Sequence, residues 1–139
     1  HLMETSRKLH EWVGHMVSLQ HSLHDALTDY VTEIMHVHER QPRLQHILLE
    51  EAPLSPRLHE VIVKKENEDQ RTMAHLLRLY PEVQRTNFEC AGYFVIHTVE
   101  SLTHRYIAHA DDQQIDRVLF VRELVSMLEA YLQCPGSGQ

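Results

Sequence analysis

Glycine is scarce in this chain: four occur in 139 residues, two of them in the tail Pro135-Gly136-Ser137-Gly138-Gln139. Proline falls only where helical periodicity stops, and no stretch alternates apolar and polar residues as a half-buried strand does. Sheet architectures therefore drop out, and an all-α protein of a single domain spanning residues 1–139 is expected. There is no glycine-rich phosphate loop, no nucleophile elbow and no Cys–His pairing with a third group. Without such a constellation the chain is not expected to be an enzyme.

Cysteine is equally sparse. Cys90, within a helix that reads as buried, and Cys134, near the tail, are far apart and lack metal-type spacing, so both read as reduced thiols of a cytoplasmic protein. No apolar run approaches the about eighteen residues of a membrane span, and no secretory signal opens the chain. Basic residues are outnumbered by acidic ones, 13 to 20, for a formal net charge of −7. That balance argues against a general affinity of this chain for nucleic acid or anionic membrane.

The richest stretch is Phe88 to Leu132, two apolar segments separated by Ala110-Asp111-Asp112-Gln113-Gln114. On a helical wheel Phe88, Ala91, Val95, Val99, Leu102 and Tyr106 form one stripe of the first segment, with Phe94, Ile96 and Ile107 on its flanks. The second carries Val118, Val121, Leu124, Val125, Leu128, Tyr131 and Leu132, with Phe120 and Met127. A single core contact needs a stripe only about 100° wide. Both segments exceed that, and a chain of this length has limited interior with which to cover them, so part of their surface is expected to meet a second copy.

Upstream, Leu9, Trp12, Val13, Met16, Leu19 and Gln20 share one face of a helix from Glu4 to about Gln20. Gly14 in its interior costs about 1 kcal/mol relative to alanine and marks either a close helix crossing or a hinge. Ser22-Leu23-His24-Asp25 has capping spacing and opens a helix to about Arg40, with Leu23, Ala26, Leu27, Tyr30, Val31, Ile34 and Val37 as its stripe. Pro42 starts a short helix to about Glu51. Ser55 caps, and Pro56 begins, a long helix ending near Tyr80. Its apolar stripe is interrupted by Lys64-Lys65-Glu66-Asn67-Glu68-Asp69-Gln70-Arg71, which is either a solvated face with pairs such as Lys65 to Asp69, or a pocket wall with Glu66 or Asp69 turned inward. Asn87 is placed to cap the helix at Phe88. Six helices result, and residues 134–139 read as a disordered tail.

Thirteen histidines invite a metal reading. Most are scattered, but His97, Glu100 and His104 share a strip with Tyr93 beside them. Two turns span about 10.5 Å, far for two ligands each about 2 Å from one ion. No metal and no cofactor are therefore expected, and a polar lining or intersubunit hydrogen bonds are the better account of the strip.

The run Glu39-Arg-Gln-Pro-Arg-Leu-Gln-His-Ile-Leu-Leu-Glu-Glu-Ala-Pro53, followed by Ser55-Pro56-Arg57-Leu58, resembles the middle of the effector domain of the tetracycline-repressor (TetR) family. Phe94-Val-Ile-His-Thr-Val-Glu-Ser-Leu-Thr-His-Arg105 resembles that family's penultimate helix, and Ile115 to Leu132 its last. The resemblance implies a six-helix C-terminal domain whose last two helices form an intersubunit four-helix bundle, with Val95, Val99, Leu102, Tyr106, Val118, Val121, Leu124, Val125 and Leu128 at the homodimer interface. It implies a pocket for a small, mostly apolar effector, drawn from Trp12, Met16, Leu27, Tyr30, Ile34, Ile62, Met73 and Phe94 with Asp69 and His97 as polar contacts. It also implies a transcriptional repressor that reaches operator DNA only through an N-terminal helix-turn-helix head, and this chain has no such head before its first helix. A His-rich helical bundle holding metal or haem is the alternative.

Overall fold

The computed structural model describes residues 4, 6–11, 22–40, 56–112 and 114–136, and among these there is helix and no strand. Four long helices are present: α1, Leu23–Arg40; α2, Pro56–Leu77; α3, Phe88–Ala108; and α4, Arg117–Gln133. A 3-10 turn, Ala110–Asp112, occupies the polar turn between α3 and α4. Residues 6–11 are also helical. The rest of the expected first helix with Gly14, the short helix at 42–51, the Ser55 cap and residues 137–139 of the expected tail lie outside the described residues.

Each of three helix starts is fixed by a side chain that accepts an otherwise unpaired backbone N–H. Ser22 Oγ accepts from Asp25 N at 3.1 Å, Asn87 Oδ1 from Cys90 N at 3.1 Å, and Asp116 Oδ1 from Leu119 N at 2.8 Å. The first two follow the sequence expectation. Asp116 moves the start of the last helix from Ile115 to Arg117, because its carboxylate serves as the cap and leaves Ile115 outside.

Helix α1 is the centre of the packing. Leu23, Ala26, Leu27, Tyr30, Val31, Ile34, Met35, Val37 and His38 are all buried, spreading over about half of the helix circumference. That width follows from α1 packing on both α3 and α4, whereas α2 packs on α3. Only the C-terminal part of α2, at Met73, Ala74, Leu76 and Leu77, is buried among the described residues. Leu58, Val61 and Val63 nearer its start are exposed.

At the crossing of α2 and α3 the backbones meet at Gly92. A Cβ there would lie 2.8 Å from the Gln70 carbonyl oxygen and 3.3 Å from Ala74 N, so only glycine permits this approach. The connector between α2 and α3 is tied to the end of α4. Gln84 N donates to the Leu132 carbonyl at 2.8 Å, and Arg85 Nε donates to the Tyr131 carbonyl at 2.8 Å with its guanidinium over the Tyr131 ring. Among the described residues, no helix is long and apolar enough to cross a membrane.

Candidate functional site

Two features stand apart from ordinary core packing: a buried polar cluster between α1, α2 and α3, and an uncovered apolar face on α3 and α4.

The polar cluster begins with Asp69, which α2 turns inward. Ser6 Oγ donates to Asp69 Oδ1 at 2.7 Å. Burial raises the Asp69 carboxyl above its ordinary range, and the nearby Glu100 adds to that; the Ser6 hydrogen bond, His10 and Lys65 offset part of it. The inward reading of Asp69 thus describes the fold, and the charged run around it is not uniformly solvated. Lys65 Nζ reaches Glu68 Oε2 at 3.5 Å instead of pairing with Asp69. Tyr30 of α1 is nearly inaccessible, and its phenol is pushed well above the usual value, first by burial and then by the Glu100 and Asp69 carboxylates.

Across from it, His38 is 1 % exposed and its Nε2 lies 3.0 Å from Glu100 Oε2. A carboxylate accepts, so Nε2 carries a proton. Nδ1 is buried and makes no hydrogen bond. His104, also buried, stands with its ring 5.9 Å from that of His38. The cluster thus joins two carboxylates, each accepting a side-chain hydrogen bond, to a buried phenol and a buried imidazole whose Nδ1 has no partner.

The strip of His97, Glu100 and His104 is split in two: His97 faces Gln70 and Tyr93, whereas Glu100 and His104 both face His38. Glu100 holds His38, His97 Nε2 is 3.1 Å from Gln70 Nε2 with its ring against Tyr93, and His104 lies by His38. Among the described residues no three His, Cys, Asp or Glu side chains are grouped as a metal site.

Of the residues expected to line an effector pocket, Leu27, Tyr30, Ile34 and Met73 come together in the closed core, and Ile62, Asp69 and His97 are half-buried on α2 and α3. Trp12 and Met16 lie outside the described residues. Phe94 is not with them: it is 50 % exposed on the outer side of α3, its ring 5.9 Å from that of Tyr131 on α4.

That ring contact bridges the second feature. Phe94, Leu102, Leu119 and Met127 are exposed apolar side chains of α3 and α4, with Met127 at 54 %. Cys90, expected to be buried, is exposed beside them and close enough to raise the Tyr131 hydroxyl, which burial raises more. Tyr106 stacks on Phe120 at 4.2 Å and joins the two helices further along. Within the protomer, Val95, Val99, Leu124, Val125 and Leu128 are enclosed by α1, α3 and α4. Tyr106 and Val121 are half-buried, and Leu102 and Val118 are exposed. The side of each helix that α1 covers is therefore the valine and leucine stripe, and the side left open carries Phe94 and Met127.

Among the described residues the fold is thus all-α, with four long helices around an apolar core and exposed apolar side chains left on α3 and α4. Residues 22–132 match the family described as Tetracyclin repressor-like, C-terminal domain, and the chain belongs to that family. No curated protein and no solved structure matches the chain. Family membership is consistent with a ligand-binding and dimerisation domain of a transcriptional regulator.

Proposed function

We propose that this chain is the effector-sensing and dimerisation domain of a homodimeric, cytoplasmic transcriptional repressor, and that it controls operator binding through a helix-turn-helix head. The observation that carries the reading, beyond the family match, is the exposure of the apolar side chains Phe94, Leu102, Leu119 and Met127 on α3 and α4. An exposed patch of this kind marks an association surface, and two copies meeting through α3 and α4 would form a four-helix bundle. The effector is a small, mostly apolar molecule, and Tyr30, Asp69, Glu100 and His38 supply the polar end of its site. No catalytic role is assigned. The metal- or haem-binding alternative has less support, since His97 is engaged with Gln70 and Glu100 with His38.

Sedimentation equilibrium at micromolar concentration tests the association. The expected mass is twice that of the chain, with Met127→Glu shifting it to the monomer while the helical circular dichroism is retained. A monomeric wild-type chain would remove the dimer from this reading.

A further inference from the structure

Helices α1 and α4 run antiparallel, and two ion pairs cross their seam: His24 with Glu129 at one end, and Glu39 with Arg117 at the other. Between them lies a groove of about 350 Å³. It is on the opposite side of α4 from Met127, so it is separate from the face proposed for dimerisation. Its α4 wall is Val118, Val121 and Val125, one stripe at i, i+3 and i+7, and its α1 wall includes Thr28 and Thr32. The family resemblance assigns these valines to a dimer seam. The fold instead aims them at the α1 side, where Val125 is buried and Val118 remains 66 % exposed.

The polar groups of the groove are nearly all engaged. Thr28 Oγ1 donates to the His24 carbonyl at 2.9 Å, and Thr32 Oγ1 donates to the Thr28 carbonyl at 2.8 Å, so neither hydroxyl proton is offered to the groove. Arg117 and His24 hold their carboxylates. Arg122, on the rim, is exposed and has no ion pair or hydrogen bond among the described residues. In a chain with net charge −7, that is not for want of acidic residues. An apolar trough about 12 Å long by helix rise, flanked by the two ion pairs and carrying one uncompensated guanidinium, is complementary to an apolar body with a single negative charge. Its volume is within the range of small-molecule sites.

We infer that the α1–α4 groove is a binding site for a small amphipathic carboxylate, its hydrocarbon part on Val118, Val121 and Val125 and its carboxylate on Arg122. This site is distinct from the effector site proposed between α1, α2 and α3. It places a second ligand on the outer side of the helix that supplies the dimer face.

Isothermal titration of the chain with octanoate, and with octanol as the uncharged counterpart, tests the assignment. Saturable octanoate binding is expected. Arg122→Gln should weaken it about tenfold, the equivalent of one charge-assisted contact, and Val118→Glu should abolish it by setting a negative charge in the trough. Octanol should bind more weakly than octanoate and be indifferent to Arg122→Gln. Both altered side chains are exposed, and retained helical circular dichroism verifies that the variants fold. No saturable binding of octanoate, equal affinity for octanoate and octanol, or octanoate binding unchanged in both variants would each overturn the assignment, the last by placing the bound carboxylate elsewhere.

Discussion

Gly92→Ala should destabilise the fold, against the direction that helix propensity alone dictates. Position 92 is inside α3, where replacing glycine by alanine favours the folded state by about 1 kcal/mol. The added methyl, however, meets backbone. Its Cβ would be 2.8 Å from the Gln70 carbonyl oxygen, 3.3 Å from Ala74 N and 3.6 Å from Met73 Cβ. Ordinary carbon–oxygen contacts of this kind lie at about 3.3–3.6 Å, so α2 and α3 must separate by roughly half an ångström or more. Neither a carbonyl nor an amide on a helix can swing aside as a side-chain end does. The shift also loosens Met73 and Ala74, both fully buried, against α3. Overpacking of this type costs about 1–3 kcal/mol, which outweighs the propensity gain and leaves a net loss of about 1 kcal/mol. Urea unfolding followed by far-ultraviolet circular dichroism reads the effect as a lower midpoint at unchanged slope. Wild type and variant must be compared at the same chain concentration, since association adds to apparent stability. A midpoint equal to or above wild type would refute the close-crossing account of Gly92.

The buried polar cluster yields two more expectations. Asp69 titrates above its ordinary range in the folded chain, so the folded state holds that proton more tightly than the unfolded state does. The associated stability is complete below about pH 4 and is lost as pH rises through the folded value. Asp69→Asn keeps an oxygen for Ser6 and removes the buried charge. It should raise the melting temperature at neutral pH and flatten the pH dependence above that point, and an unchanged pH profile of thermal melts would remove Asp69 as its source. Glu100→Ala leaves the His38 Nε2–H buried without an acceptor, at a cost of about 1–3 kcal/mol. Glu100→Gln retains an acceptor and should recover most of that loss in the same urea assay, whereas equal losses in the two variants would mean that the His38 contact contributes little.

Much of the helical layout was legible in the residues because helix ends depend on local chemistry. Ser22 and Asn87 act as caps where their spacing places them, Pro56 opens the long helix, and the α1 stripe from Leu23 to Val37 is buried as its periodicity requires. The resemblance carried by Glu39 to Leu58 and Phe94 to Arg105 led to the family that residues 22–132 match. The site was less legible. Phe94 and Tyr30 are both aromatic residues on apolar helices, and nothing in their spacing distinguishes an outer face from a closed core. Asp69 sits in a run of charges, and only its contact with Ser6, 63 positions away in sequence, shows that it turns inward.

The sequence by itself determined the four long helices of the described residues, where several of them begin, and that the last two carry more apolar surface than one contact needs. Periodicity ranks the faces of a helix but does not orient them toward a neighbour. Tertiary structure decided that orientation: α1 takes the Val95–Val99 and Leu124–Leu128 stripes into the core, leaving Phe94 and Met127 on one outer side and Val118 with Arg122 on the other. The physical reason is that a helix propagates its own geometry through bonds four residues apart, whereas the direction in which its surface is buried depends on residues dozens of positions away.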